Sequence, residues 1–195
     1  MFRCSCGRDK EYWSEFDKAG FCECGRETMN EIKGVHPKLA DAISSTLNEA
    51  KARGLSVGMY SGLRTDNEKQ MKLYELGRTV KNEGATKDKP MGLIVTNAKT
   101  IWDTFHGFGL ACDIVYKDKS GNWTWDKTQE QWEDLGKVGE IFGLEWGGRW
   151  TFLDNRDKLI GKDYPHFQMT GSIKNIKEAK EIYDTKGIDE LWKLI

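Results

Sequence analysis

Two of the three histidines in the chain lie in motifs that could bind a metal ion. His106 and Asp113 stand seven residues apart, on either side of a glycine-containing turn that leads into an apolar segment. His166 lies in the motif Asp-Tyr-Pro-His-Phe, residues 163–167. Imidazole and carboxylate groups together form a typical ligand set for zinc. We therefore predict that His106, Asp113 and His166 bind one catalytic zinc ion.

Asp113 stands in a segment whose side chains alternate between two faces of a predicted strand. Its neighbours Ala111 and Val115 share one face, and Cys112 points to the other. A carboxylate within an apolar strand is costly unless it is paired or bound to a metal. This cost favours a ligand role for Asp113, whereas Cys112 is expected to be a small core residue.

Four of the five cysteines lie in the first 24 residues, in two Cys-x-Cys-Gly-Arg repeats. They are Cys4, Cys6, Cys22 and Cys24. Two thiol pairs at this spacing favour a small structural zinc site, although Cys-x-x-Cys is the more usual zinc motif. Disulfides and free thiols remain alternatives, and a cytoplasmic origin disfavours disulfides. We predict a separate cysteine module with a possible second zinc over residues 1–29.

Helical and strand-like patterns alternate along the rest of the chain. The architecture that we expect is an α+β fold, in which an antiparallel sheet carries the zinc site and helices pack on one side. His36 is expected to cap or pack against the first helix, and residues 78–103 form a long connection. Trp102 and Phe105 are expected to pack over the mouth of the site. We predict helices over residues 37–53, 66–77, 128–142 and 172–195, and strands over residues 55–60, 109–115, 144–150 and 163–169.

Charge and hydropathy exclude several classes of protein. The chain has 30 basic and 31 acidic residues and no basic tract, so nucleic acid is a poor candidate partner. No apolar run approaches the roughly 20 residues that span a bilayer. The first residues lack the apolar segment of a signal peptide, so we expect synthesis in a cytoplasm and release by another route. The eight tryptophans are expected in part to line a cleft for sugars or peptides, and we expect a monomer.

Six short motifs occur in order along the chain. Together they resemble the zinc-dependent D-alanyl-D-alanine carboxypeptidase and L-alanyl-D-glutamate endopeptidase family, which includes VanY-type and VanX-type enzymes and phage endolysins. The resemblance covers about residues 35–170 and is greatest to the endolysin branch. The motifs are Ser-Gly-Leu-Arg-Thr at 61–65, Gly-Arg-Thr at 77–79, Val-Thr-Asn-Ala at 95–98, His-x-x-Gly-x-Ala-x-Asp at 106–113, Trp-Gly-Gly at 146–148 and Asp-x-x-His-Phe at 163–167.

The resemblance implies roles for individual residues. It carries over the zinc ligands already named, Asp163 as the general base, and Arg64 as the group that stabilises the developing oxyanion. A turn-capping role for Asp163 and a surface ion pair for Arg64 remain the structural alternatives. We also predict that the substrate is bound by Ser61, Gln70 and Trp146.

The implied activity is zinc-dependent hydrolysis of the L-alanyl-D-glutamate bond in the stem peptides of bacterial peptidoglycan. The resemblance further implies an endolysin that reaches the wall through holin lesions and lyses it. A D-Ala-D-Ala carboxypeptidase of the same family and a non-catalytic wall-binding module are the alternatives. A metallopeptidase function is therefore expected, with peptidoglycan as the partner.

Some features depart from the family pattern. Thr104 stands where the family often has serine, and the loop between Trp150 and Asp163 is longer than usual. The cysteine module and the C-terminal tail lie outside the resemblance, and the tail is expected either to pack on the domain or to serve as a binding appendage. We predict three parts, a cysteine-rich module at 1–29, a zinc peptidase domain at 30–171 and a helical tail at 172–195.

Overall fold

The computed structural model describes residues 32, 34–82, 85–88, 90–92, 94–153 and 159–195, except for the side chains of 152, 153 and 159–161. The predicted cysteine module lies outside the described residues, so its metal stays a prediction. The chain divides into two compact units, one of Met1–Gly62 with Cys112–Met169 and one of Leu63–Ala111 with Thr170–Ile195. The three predicted parts are not tested by this division and stay a prediction.

The first unit contains a sheet with the strand order β1-β2-β7-β4, and β3 also pairs with β2. The pairings of β1 with β2, β2 with β3 and β4 with β7 are antiparallel. Helices α1 and α3 pack on each other, α1 also contacts β1, and α3 also contacts β4. The predicted α+β class is confirmed. The elements are α1 (Pro37–Ala52), β1 (Val57–Ser61), β2 (Ala111–Lys117), β3 (Trp123–Thr124), α3 (Gln129–Ile141), β4 (Glu145–Trp146), β5 (Phe152–Leu153), β6 (Leu159–Gly161) and β7 (His166–Gln168).

Local signals explain where the helices of this unit begin. Pro37 fixes the backbone of the first turn of α1, and His36 accepts a hydrogen bond from the Lys38 N–H through Nδ1, at 3.2 Å. The capping prediction for His36 is therefore confirmed. Thr128 and Gln131 form a capping box that starts α3. Both helices bury one apolar face, as their spacing predicted.

Two glycines let α3 lie close to the strands. A methyl group at Gly136 would overlap the ring of Trp146, and one at Gly139 would overlap the ring of Phe167. These two rings belong to β4 and β7, which are neighbours in the sheet. The glycines therefore set how closely the strand that carries His166 packs against the helix.

The second unit holds α2 (Asn67–Glu75), α4 (Ile176–Lys186), α5 (Ile188–Trp192) and two 3-10 turns, Ile101–Asp103 and Phe105–Phe108. The side chain of Asp66 caps α2. The helices of the tail pack around a buried cluster, so the tail is a packed part of this unit. The cluster consists of Phe108, Leu110, Ile173, Ala179 and Leu191.

Two aromatic residues that were expected over the mouth of the site pack against the core of this unit. Trp102 and Phe105 pack against that buried cluster, and the Trp102 ring stacks on Tyr183 with 4.6 Å between the ring centroids. The indole N–H of Trp192 also donates to the carbonyl oxygen of Phe108 at 2.8 Å. The long-range packing of α4 and α5 therefore decides the direction of these rings.

The predicted strands near the second histidine are shorter than expected. Only Glu145–Trp146 is extended in the segment 144–150, and Gly147–Arg149 forms a 3-10 turn. Asp163 lies before β7, in a turn closed by a hydrogen bond from the His166 N–H to the Asp163 carbonyl oxygen at 3.2 Å. The loop at 151–162 contains the antiparallel pair β5 and β6. Among the described residues, no helix is long and apolar enough to cross a membrane.

Candidate metal centre

His106 is held in a tight turn just before β2. Thr104 caps this turn by accepting a hydrogen bond from the His106 N–H at 3.4 Å. Gly109 ends it with a backbone φ of 68°, in the left-handed region that favours glycine. A side chain at Gly107 would overlap the carbonyl group of Ile101. The buried ring of His106 is thus positioned by backbone that only these small residues accommodate.

Asp113 and His166 come from neighbouring strands of the first unit. The Ile114 N–H donates to the carbonyl oxygen of Pro165 at 2.9 Å, which joins β2 to the start of β7. The Oδ1 atom of Asp113 then lies 3.6 Å from Nδ1 of His166, and both side chains are largely buried. The predicted carboxylate in an apolar strand therefore has an imidazole partner.

A chain of polar contacts fixes which nitrogen of His166 faces Asp113. The amide Nε2 of Gln168 donates to Glu145 Oε2 at 2.9 Å, so the amide oxygen of Gln168 is directed to the histidine. This oxygen lies 3.1 Å from Nε2 of His166 and can only accept a hydrogen bond. In the neutral ring, Nε2 therefore carries the proton, and Nδ1 presents a lone pair on the side of Asp113, where a metal ion would bind.

The surroundings of His166 favour positive charge. Burial alone lowers the pKa of this imidazole, but the bond to Asp113, the charges of Asp113 and Asp163 and the contact with Gln168 raise it. The net result is a pKa above the ordinary histidine value. The same carboxylates that favour a proton on the ring also favour a bound cation at this place.

The ligand atoms of His106, Asp113 and His166 lie within 4.8 Å of one another. Two imidazoles and a carboxylate suit zinc, which binds nitrogen and oxygen ligands in tetrahedral sites. Two such ligands at about 2.0–2.1 Å from one ion stand about 3.4 Å apart, and the Asp113–His166 pair stands 3.6 Å apart. The donor types and this separation therefore fit a zinc ion.

Asp163 lies beside this group of ligands. Its N–H donates to the carbonyl oxygen of Gly147 at 3.2 Å, and its charge acts on His166. A Cβ atom at Gly147 would lie 3.2 Å from the Cβ atoms of Asp163 and His166. Glycine at 147 therefore allows the turn with Asp163 to approach β4, a constraint that the two-glycine motif signalled in the sequence.

Arg64 is anchored in the second unit at both its backbone and its side chain. Its N–H donates to the carbonyl oxygen of His106 at 3.1 Å, and its Nη1 donates to Gln70 Oε1 at 3.1 Å. Gln70 is 1 % exposed and donates through Nε2 to the carbonyl oxygen of Ala98 at 2.8 Å. The guanidinium group is therefore held by the buried amide of Gln70, and the bond to Ala98 fixes the orientation of that amide.

A sequence model described as D-alanyl-D-alanine carboxypeptidase matches residues 96–169, which include the three ligands and Asp163. The peptidoglycan L-alanyl-D-glutamate endopeptidase CwlK of Bacillus subtilis is 30% identical over 142 residues, or 69% of this chain and 73% of that protein. The chain belongs to the peptidase family that includes CwlK. The resemblance predicted from the short motifs is confirmed.

Solved structures of similar proteins include the L-Ala D-Glu endopeptidase ChiX of Serratia marcescens. It is 23% identical, with a TM-score of 0.47 and coverage of 71% of this chain and 83% of that chain. A variant of the vancomycin-resistance D,D-pentapeptidase VanY, solved with Zn(II), is 22% identical, with a TM-score of 0.43 and coverage of 88% and 86%.

The three residues predicted to bind substrate in this family member have different surroundings. Trp146 is buried against Gly136 and donates through Nε1 to the carbonyl oxygen of Tyr164 at 2.7 Å, which places it in the core. Gln70 uses both ends of its amide within the protein. These placements argue for positioning roles instead of substrate contact. Ser61 lines an open pocket, and its contact with substrate stays a prediction.

Three further residues around the centre were missed by sequence reasoning. Gln168 and Glu145 support His166, and the Ala98 carbonyl supports Gln70. Gln168 stands two residues after a predicted ligand, so strand alternation could have placed it on the same face. Glu145 is recognised only through the pairing of β4 with β7. Ala98 is recognised only through its contact with Gln70, 28 residues away in the sequence.

Proposed function

We propose that the chain is a zinc-dependent peptidoglycan peptidase that hydrolyses the L-alanyl-D-glutamate bond of stem peptides. The observation that carries this proposal is the convergence of His106, Asp113 and His166 within 4.8 Å. The relationship to CwlK, an enzyme named for this bond, supports the choice of substrate. The three ligands would hold the metal, and Gln168 keeps the lone pair of His166 directed toward it.

Bound zinc would supply a Lewis acid for the scissile carbonyl and would bring the pKa of a water molecule close to neutrality. The protein contributes the placement of the groups around it. Asp163 is held beside His166 by its backbone bond to Gly147. From this position its carboxylate takes a proton from the attacking water and returns it to the leaving amine.

Arg64 acts on the charge that develops on the carbonyl oxygen of the substrate. Its guanidinium is fixed by Gln70, so little reorganisation is needed when this charge forms. Such a preorganised donor typically lowers the barrier by about 3–4 kcal/mol. The role of each of these residues is part of the proposal.

A D-alanyl-D-alanine carboxypeptidase is the second candidate, because the sequence model that matches residues 96–169 carries that description. Both reactions use the same metal and the same proton transfers and differ in the bond that is cut. The products of digestion therefore distinguish them.

The proposal extends to the biological setting. An endolysin that lyses the wall after holin-type release is supported by the sequence resemblance alone, and a monomer is the default expectation. Cys4, Cys6, Cys22 and Cys24 are proposed to hold a second, structural zinc, on the strength of their repeated spacing.

The test combines metal content with digestion of purified peptidoglycan. Wild type and a variant with all four N-terminal cysteines changed to serine are analysed for zinc per chain, and new termini are identified by mass spectrometry. New N-terminal D-glutamate supports the endopeptidase, and release of D-alanine alone supports the carboxypeptidase. Zinc binding without any cleavage contradicts both. A fall from two zinc ions to one in the cysteine variant supports the structural site.

A further inference from the structure

An exposed group of aromatic side chains lies on the sheet of the first unit, away from the ligands. Tyr60, Trp123 and Trp125 are 51%, 38% and 48% exposed. The Tyr60 ring meets the Trp123 ring at 5.5 Å and the Trp125 ring at 5.0 Å, both edge to face. The Lys117 ammonium lies 4.8 Å from the centre of the Trp123 ring. We call these four residues the aromatic patch.

The patch is built into the sheet. Lys117 is the register partner of Trp123, and Gly58 of β1 lies under both side chains. A Cβ atom at Gly58 would come within 3.0 Å of Lys117 Cε and Trp123 Cη2. The absence of a side chain there lets the lysine and the indole approach the strand closely. Exposed aromatic groups of this kind commonly mark a binding surface.

The patch shares a sheet face with one of the metal ligands. Side chains alternate along a strand, so Asp113 and Lys117, four residues apart on β2, point to the same face. The rise of a strand places them about 13 Å apart. The patch therefore lies within the reach of a substrate bound at Asp113.

A pocket lies beside the aromatic patch and extends along β1 to Ser61. Its volume is about 310 Å³, and its lining runs from Ser61, the register partner of Asp113, to Lys117 and Trp123. The other lining residues come from β1 and the residue after it. An elongated substrate can thus extend along β1 from the metal ligand to the aromatic rings.

We propose that the aromatic patch binds the glycan strand of peptidoglycan next to the cleaved stem peptide. This inference rests on the proposed function and names the part of the substrate that lies beyond the scissile bond. Aromatic rings pack against the C–H faces of pyranose sugars, and the Lys117 ammonium can donate to acetamido or hydroxyl oxygens.

The length of the substrate agrees with this placement. In peptidoglycan, one alanine and one lactyl group separate the L-alanyl-D-glutamate bond from the muramic acid ring. Each unit spans at most about 3.6 Å when extended, so the first sugar begins about 7 Å from the bond. The patch, about 13 Å along the strand from Asp113, therefore lies where the sugars of the glycan would pass.

The first test measures glycan binding without any catalysis. The probe is the neutral tetramer of N-acetylglucosamine, which excludes simple ion pairing with Lys117. We expect the indole N–H signals of Trp123 and Trp125 to shift on titration, while that of Trp102, packed against Tyr183 in the second unit, stays unchanged. Equal shifts or none at these tryptophans would overturn the inference.

The second test compares cleavage of a disaccharide-linked stem peptide with cleavage of the same peptide without sugar. The ratio of the two kcat/KM values is expected to fall about tenfold in Trp125→Ala, the loss typical of truncating an aromatic anchor. Trp125 lies outside β3, so its removal spares the strand pairing. Lys117→Gln provides a second variant, and Ile141→Ala, exposed on α3, is the control with an unchanged ratio.

The outcomes separate the inference from the proposed function. Glycan binding without cleavage of either peptide leaves the glycan site standing and contradicts the peptidase. Cleavage with an unchanged ratio in Trp125→Ala keeps the peptidase and overturns the glycan site. An equal loss on both peptides means that the patch contacts peptide, and dissociation of a dimer by Trp125→Ala means that it contacts a second copy; either result overturns the inference.

Discussion

The amide oxygen of Gln168 lies 3.1 Å from Nε2 of His166 and fixes the tautomer of this ring. We expect Gln168→Leu to lower zinc affinity about 10–100-fold, the usual effect of removing a group that orients a metal ligand. Affinity is measured by competition with a coloured chelator. Gln129→Leu makes the same chemical change at an exposed position of α3 and should leave the affinity unchanged. Equal zinc affinity in Gln168→Leu and wild type would show that Gln168 does not orient His166 for the metal.

The two aspartates near His166 are expected to differ in what they do. Asp113→Asn should lose bound zinc, because its carboxylate lies among the ligand atoms. Asp163→Asn should keep zinc and lose about 10²–10⁴-fold in kcat, the range for general acid–base groups. Zinc per chain and kcat are measured on the same preparations. A stoichiometric loss of zinc in Asp163→Asn would make Asp163 a ligand and would contradict its assignment as the base.

Gln70 is expected to act on catalysis through Arg64. Arg64→Ala should lower kcat about 10²–10³-fold, as for other groups that stabilise an oxyanion. Gln70→Leu leaves the half-buried carbonyl of Ala98 without its donor and should cost about 1 kcal/mol of stability.

A double-mutant cycle on kcat tests whether the two residues act together. The combined loss in the Arg64→Ala, Gln70→Leu variant should be smaller than the product of the two single losses. Both substitutions act on the same group, since one removes the Arg64 guanidinium and the other removes the amide that positions it. Independent losses that multiply would show that Gln70 acts by another route.

Metal removal is expected to destabilise the folded chain. Zinc that binds only the native state stabilises it, by about 2.7 kcal/mol at a free concentration of 100 Kd. A strong chelator should therefore lower the Tm of wild type, and added zinc should restore it. His166→Ala lacks one ligand and should show a much smaller shift under the same conditions. An unchanged Tm in wild type would mean that the ligands hold no zinc in the native state.

Tyr116 is expected to make stability depend on pH in alkaline solution. Burial, with a smaller effect from Asp134, raises the pKa of its phenol to about 12, and the hydroxyl donates to the Gln131 carbonyl oxygen. A raised folded-state pKa means that this stabilisation is complete below pH 10 and is lost as the pH rises toward 12. Urea unfolding across this range should show a smaller decline in Tyr116→Phe than in wild type. Parallel declines would contradict the assignment.

Much of the fold follows from local signals in the sequence. Pro37, Asp66 and Thr128 mark the starts of three helices because capping depends on neighbouring residues alone. Asp113 was recognisable as a candidate ligand because a carboxylate in an apolar strand requires a partner. His106 and His166 were found because the chain offers few histidines and each of these two lies in a distinctive motif.

Other features depend on contacts that are distant in the sequence. Trp146 was expected to meet substrate, but Gly136 on α3 leaves space for its ring in the core. Trp102 was expected at the mouth of the site, but it stacks on Tyr183 of α4. An indole is equally suited to a cleft and to a core, so its type and position do not decide between them.

The bond from Trp192 to the Phe108 carbonyl spans 84 residues of sequence and ends two residues from His106. Contacts of such long range form only when both segments are available to each other. During synthesis, the turn that carries His106 leaves the ribosome long before α5 does. The turn that carries the candidate ligand His106 therefore stays without this brace until α5 has been synthesised, and its bracing is a late step of folding.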